Sequence, residues 1–80
     1  MTLMEDFTTH LRDELFFGDP GARLDVDDDL FELGLDSLAI QRLVVRIERK
    51  LRVRVSDSDV VAENFRTVRA LVTMVEGLTR

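Results

Sequence analysis

No cysteine occurs in the 80 residues, so neither a disulfide nor a thiolate metal site supports this chain. The redox compartment therefore stays open. Histidine occurs once, at His10, which leaves little from which to build a catalytic base. No apolar run approaches the roughly 20 residues that a membrane span needs. Where a signal peptide would carry basic residues, the N-terminus has Glu5 and Asp6. Internal repeats and low-complexity segments are missing as well. The expectation is a soluble, cytoplasmic domain with no membrane partner.

What remains is an ordinary globular composition. The apolar fraction is 45%, too high for a globally disordered chain. Eighty residues make one domain, 1–80, and a chain of this size buries only about 60% of its unfolded surface. The core must come from Leu, Val, Ile and the five Phe. The net charge of −5 hides an asymmetry. Residues 1–35 hold ten acids and two arginines, whereas 36–54 hold six bases and two acids. The overall sign argues against a general nucleic-acid binder. The basic segment reads as a partner surface or a solvated face.

Periodicity predicts four helices. Thr2 and Glu5 match a capping box, and Leu3, Phe7, Leu11 and Leu15 recur at i, i+4 spacing beside Met4, which predicts a helix over about 3–16. Gly18-Asp-Pro-Gly21 stops it. Residues 17–35 form a long connection. It carries too many apolar groups for a free loop (Leu24, Val26, Leu30, Phe31, Leu33, Leu35), so it should pack across the bundle, with a short turn at Asp28–Leu33. A second helix opens at Asp36 or Ser37 and runs to Leu51, with Leu38, Leu43, Ile47 and Leu51 on one face. The alternation at 51–55 could suggest a strand, but nothing nearby would pair with it. Ser56 with Asp59 opens a short third helix through about Asn64. Thr67 caps the last helix, which Gly77 ends near Leu78. Met4 and Met74 read as core filler. The fold class is all-α, a four-helix bundle with a short third helix.

Several motifs compete for function. Leu35-Asp-Ser-Leu-Ala39 lacks the glycines of a nucleophile elbow, and the chain is too small for a substrate pocket, so the reading is not an enzyme. Asp25, Asp27, Asp29 and Asp36 imitate a calcium-loop register. However, Leu30 stands where the sharp turn wants Gly, and the bidentate Glu is missing, so no metal is expected. The basic helix lacks the flanks of a helix-turn-helix, so no nucleic acid is expected. His10 is structural or exposed. Asp36-Ser37 by itself is a plain helix cap.

The stretch Gly34-Leu-Asp-Ser-Leu38, preceded by Asp29-Leu-Phe-Glu-Leu33, resembles the signature of the acyl carrier and peptidyl carrier protein family. The helix order resembles that family over essentially the whole chain. The resemblance implies that Ser37 receives a 4′-phosphopantetheine arm from coenzyme A, added by a phosphopantetheinyl transferase. The arm's thiol would hold an acyl or aminoacyl group for delivery at an effective concentration set by its length. Further implied partners are a loading enzyme, either an adenylating enzyme or an acyltransferase, and synthase or tailoring enzymes. Asp36 and Leu38 would help the transferase recognise the serine. Docking would also fall on Ala39, Arg42, Val45, Arg46 and Arg49, taken as the exposed positions of the second helix. Many fatty-acid carriers have acids there, so this resemblance points instead to polyketide or nonribosomal peptide assembly. Asp36 leans towards an acyl cargo and the basic, Leu/Val-rich helix towards an aminoacyl one; the expectation is an acyl carrier, with a free-standing peptidyl carrier and an unmodified interaction domain as the alternatives. The segment from Ser56 to Thr67 looks about two residues longer than in similar carriers, and Ser56 stands where a proline is common. Ten arginines against one lysine match a GC-rich bacterial genome. A free-standing monomer is the expectation.

Overall fold

The starts of the three long helices are each fixed by a side chain that accepts from the backbone of the first turn. A computed structural model describes residues 2–19 and 21–79 of the chain. Helix α1 spans Leu3–Leu15. Thr2 Oγ1 accepts from the Glu5 N–H at 3.1 Å, and the Glu5 carboxylate accepts in return from Thr2. This is the expected capping box. The helix stops before the glycines. Phe16 N–H donates to Arg12 O at 2.9 Å, and Gly18 N–H reaches Asp13 O at 3.0 Å. Between them Phe17 lies in the left-handed region, at φ 55°. A non-glycine residue there costs roughly 1–2 kcal/mol.

The acidic loop uses its carboxylates to make turns. Asp25 accepts from Asp27 N–H and Asp28 accepts from Asp25 N–H, both at 2.9 Å. Asp29 accepts from Phe31 N–H at 2.9 Å. Two aspartates also bind arginines from the far end of the chain. Asp27 takes Arg69 through both oxygens, at 2.7 and 3.2 Å, and Asp29 takes Arg66 at 3.3 Å. Leu30 N–H donates to Arg66 O and Arg69 N–H to Val26 O. The loop is thus stitched to the last third of the chain, and Leu24, Leu30 and Leu35 are buried. Among the described residues, no group of three or more acids or histidines converges as metal ligands.

Helix α2 spans Ser37–Leu51, and the chain leaves it through Arg52 in a left-handed conformation. Residues 53–56 follow without regular secondary structure, and Glu48 accepts from Val55 N–H at 3.0 Å. The expected third helix is divided. Ser56 and Asp59 do form a capping box, but it starts only a 3₁₀ turn, Asp57–Asp59. A separate four-residue α3 follows at Ala62–Phe65. Asn64 bridges the two by donating to Asp59 O at 2.9 Å. Helix α4 spans Val68–Leu78, capped by Thr67 as expected. The helix ends at Leu78 as expected, but Gly77 lies inside it and Thr79 is the C-cap.

Helix α4 packs against α1 and α3. The core joins Phe7 and Leu11 of α1, Leu43 and Ile47 of α2, Phe65 of α3, and Val68, Leu71, Val72 and Val75 of α4. Leu30 and Leu35 of the loop complete it. Among the described residues no polar or charged residue is buried, so burial of apolar area is the main stabilising term. Met4 and Met74 pack on the margin of this core.

Candidate functional site

The site is built from a glycine, a cap and a helix start. Leu35 N–H donates to Leu30 O at 2.9 Å, which closes the turn ahead of the helix. Gly34 takes φ +112°, a conformation that side chains strain to adopt. Asp36 is the N-cap: its Oδ1 accepts from Ala39 N–H at 2.9 Å. Because Asp36 does the capping, the Ser37 hydroxyl is left out of it. Ser37 is exposed at the first position of a 15-residue helix. An exposed hydroxyl with no structural duty fits a covalently attached group.

The neighbouring surface departs from the expected one in two places. The face of α2 that carries Leu43 and Ile47 is buried as expected, but its first member is Ala39 and not Leu38. Leu38 is 55% exposed and projects beside the serine, and Ala39 is only 6% exposed. Ala39 therefore belongs to the core and cannot be a docking residue. The second departure is a charge ladder between α1 and α2. Arg42 meets Glu14 at 3.2 Å, Arg46 meets Asp6 at 3.5 Å, and Lys50 meets the same Asp6 at 2.6 Å. The bases recur every four residues on α2, as Asp6, His10 and Glu14 do on α1. Much of the positive charge read as a free patch is thus met within the chain. Arg49 lies outside the ladder, exposed beside Val45, and forms no ion pair among the described residues.

His10 sits inside this ladder. Its Nε2 is 3.2 Å from Glu14 Oε2, but the two are not aligned for a hydrogen bond. Burial, with the Arg46 charge second, holds its pKa below the ordinary value. Asp6 is held below the usual carboxylate value chiefly by the Lys50 hydrogen bond. Two hollows flank the serine. One is lined by Phe17, Gly34, Asp36, Leu38 and Arg42. The other lies one helical turn along α2, where Ile40, Val44 and Val45 face Val55 and Val60.

The sequence profile of the family described as "Phosphopantetheine attachment site" matches residues 7–75. The chain belongs to this family of carrier proteins. Its members hold 4′-phosphopantetheine covalently, and they are carriers, not enzymes. D-alanyl carrier proteins of Streptococcus pyogenes are among its relatives, from serotype M5 (strain Manfredo), serotype M49 (strain NZ131) and serotype M1. Each is 34% identical over 76 residues, covering 94% of either chain. As a family such carriers work with a phosphopantetheinyl transferase and with partner enzymes. Among the described residues of this carrier, no helix is long and apolar enough to cross a membrane.

Sequence reasoning missed several residues around the site. The acids that receive Arg42, Arg46 and Lys50 could have been found by matching their four-residue spacing to that of the bases. Phe17 also escaped notice, although an aromatic residue directly before the helix-stopping Gly18 was a visible signal.

Proposed function

We propose that Ser37 carries the arm and that this carrier presents an aminoacyl group as a thioester, in the cytoplasm. The supporting observation is the exposed Ser37 hydroxyl, freed from capping by Asp36 and lying within the matched region. The base for its modification must come from the transferase. The chain's one histidine, His10, is enclosed between α1 and α2 among Asp6, Glu14 and Arg46. During modification the Ser37 proton passes to that base, a phosphodiester forms at Oγ, and the nucleotide part of coenzyme A leaves. The bound arm then supplies a thiol that forms the thioester. The relatives named as D-alanyl carriers favour an amino acid loaded by a separate adenylating enzyme. A free-standing peptidyl carrier in nonribosomal peptide assembly would use the same chemistry.

A second reading has its own observation. The hollow between Ile40, Val44, Val45, Val55 and Val60 is apolar and lies one turn from Ser37, which suits an aliphatic acyl group in polyketide-type assembly. Asp57 also lines this hollow. An intact mass after incubation with coenzyme A, magnesium and a broad-specificity transferase tests the attachment. The mass should rise by one arm, and Ser37→Ala should abolish the rise. No rise in the wild type overturns the reading. Parallel loading with adenylating enzymes and with acyltransferases then separates the two cargoes.

A further inference from the structure

Phe17 differs from the other large apolar side chains among the described residues. It is 95% exposed, whereas Leu38, the next, is 55% exposed. It also holds the left-handed position that closes α1, at φ 55°, where glycine is favoured. Gly18 N–H donates to Asp13 O across it, so the turn itself asks only for backbone. An aromatic ring here adds backbone strain and gains no burial. Both features are unfavourable to the isolated chain, which points to something outside the chain that covers the ring.

The ring's position supports this. Phe17 lines one hollow with Gly34, Asp36, Leu38 and Arg42, the residues that surround Ser37. Any enzyme acting on Ser37 Oγ must cover this face. We propose that Phe17 and Leu38 are two apolar prongs that seat the phosphopantetheinyl transferase, in a socket that is apolar at its centre and acidic towards Arg42. The proposal rests on Ser37 being the attachment residue. The Arg42 side chain is 61% exposed although one nitrogen meets Glu14, so it can take a second carboxylate from the partner. The charge also argues against a second copy of this chain. A symmetric contact would bring the neighbouring Arg42, Arg46, Arg49 and Lys50 groove against itself, placing like charges together.

The test measures steady-state modification of the unmodified protein by a broad-specificity transferase with coenzyme A and magnesium. Phe17→Gly should lower kcat/KM at least tenfold, mainly through KM, while thermal stability is unchanged or raised because glycine suits the backbone. Phe17→Leu should recover most of the rate. The final mass should equal that of the wild type for both variants. A kcat/KM for Phe17→Gly within twofold of wild type overturns the proposal. So does a lowered melting temperature, which would make the ring structural. Sedimentation supplies a third check: a concentration-dependent dimer that disappears in Phe17→Gly would make a second copy the occupant. If the wild type gains no mass, the Ser37 reading falls and this proposal with it. If the wild type gains mass but Phe17→Gly is unaffected, this proposal alone falls.

Discussion

Asp36 performs two tasks that substitution can separate. Its side chain caps α2 through the Ala39 N–H, and its negative charge stands beside the exposed serine. Asn caps a helix about as well as Asp, whereas Ala forfeits roughly 0.5–2 kcal/mol. Asp36→Ala should therefore melt several degrees below wild type, at about 4–8 °C per kcal/mol for a domain of this size. Asp36→Asn should melt close to wild type. If Asp36→Asn is nevertheless modified more slowly, the charge takes part in recognition; equal rates would restrict Asp36 to capping. Gly34 gives a complementary case. A Cβ added there meets nothing within 4 Å, so the cost of Gly34→Ala comes from φ +112° alone. Such backbone strain is of order 1–3 kcal/mol. A melting temperature equal to wild type would show that the turn can relax around alanine.

At the scale of helices, the α1–α2 ladder changes what a charge-reversal experiment means. Arg42→Glu with Arg46→Glu would place new acids opposite Glu14 and Asp6, which are themselves largely covered. Partly exposed pairs of this kind contribute about 0.2–1 kcal/mol each before screening by salt. The double variant should lose stability, and lose less of it at high salt. Arg49→Glu leaves the ladder alone. It should keep the wild-type melting temperature and weaken only partner encounter, measured as KM for loading. If the double variant melts like wild type in low salt, the ladder contributes nothing. The ladder also marks the limit of what the sequence conveyed. Helix starts at Thr2, Asp36 and Thr67 were legible because capping is a local signal within three residues. The serine site was legible for the same reason, since glycine, cap and serine are adjacent. The facing of α2 was legible except in its first turn. Leu43 and Ile47 are buried as their spacing predicts, but at the helix start Ala39 is buried and the larger Leu38 exposed, a choice that only packing against other elements fixes. Arg42 and Glu14 are 28 residues apart and Lys50 and Asp6 are 44 apart, beyond the reach of any periodicity within one helix. The third helix was read as continuous because its capping box is real, although the turn it begins closes at Asp59.

At the scale of the whole molecule, an apolar core with no buried polar residue among the described ones leaves the charged surface to set the response to pH. Core loss should be severe: Phe65 is fully buried, and Phe65→Ala should cost about 3–5 kcal/mol. That is comparable to the lower end of a typical domain's total stability of about 5–15 kcal/mol, so the variant should be largely unfolded by circular dichroism near physiological temperature. The acid limb is more informative. His10 binds a proton less readily in the folded state, because burial and then the Arg46 charge oppose it, with Glu14, Asp6 and Asp13 pulling the other way. Its contribution is complete above its ordinary pKa of 6.5 and is lost as pH falls from there towards the folded value. Asp6 contributes above its ordinary 3.8, through the Lys50 hydrogen bond first, and that stability is lost as pH falls further. Melting temperature should therefore decline in two steps on acidification. The first begins below about pH 6.5 and the second below about pH 4. His10→Gln removes the group that titrates in the first step and should flatten the curve between about pH 7 and 5, leaving the second step in place. Lys50→Met should reduce the second step and spare the first. A His10→Gln curve that still falls like wild type above about pH 5 would mean that the half-buried imidazole does not govern the first step. The interface between α1 and α2 would then tolerate a further positive charge beside Arg46.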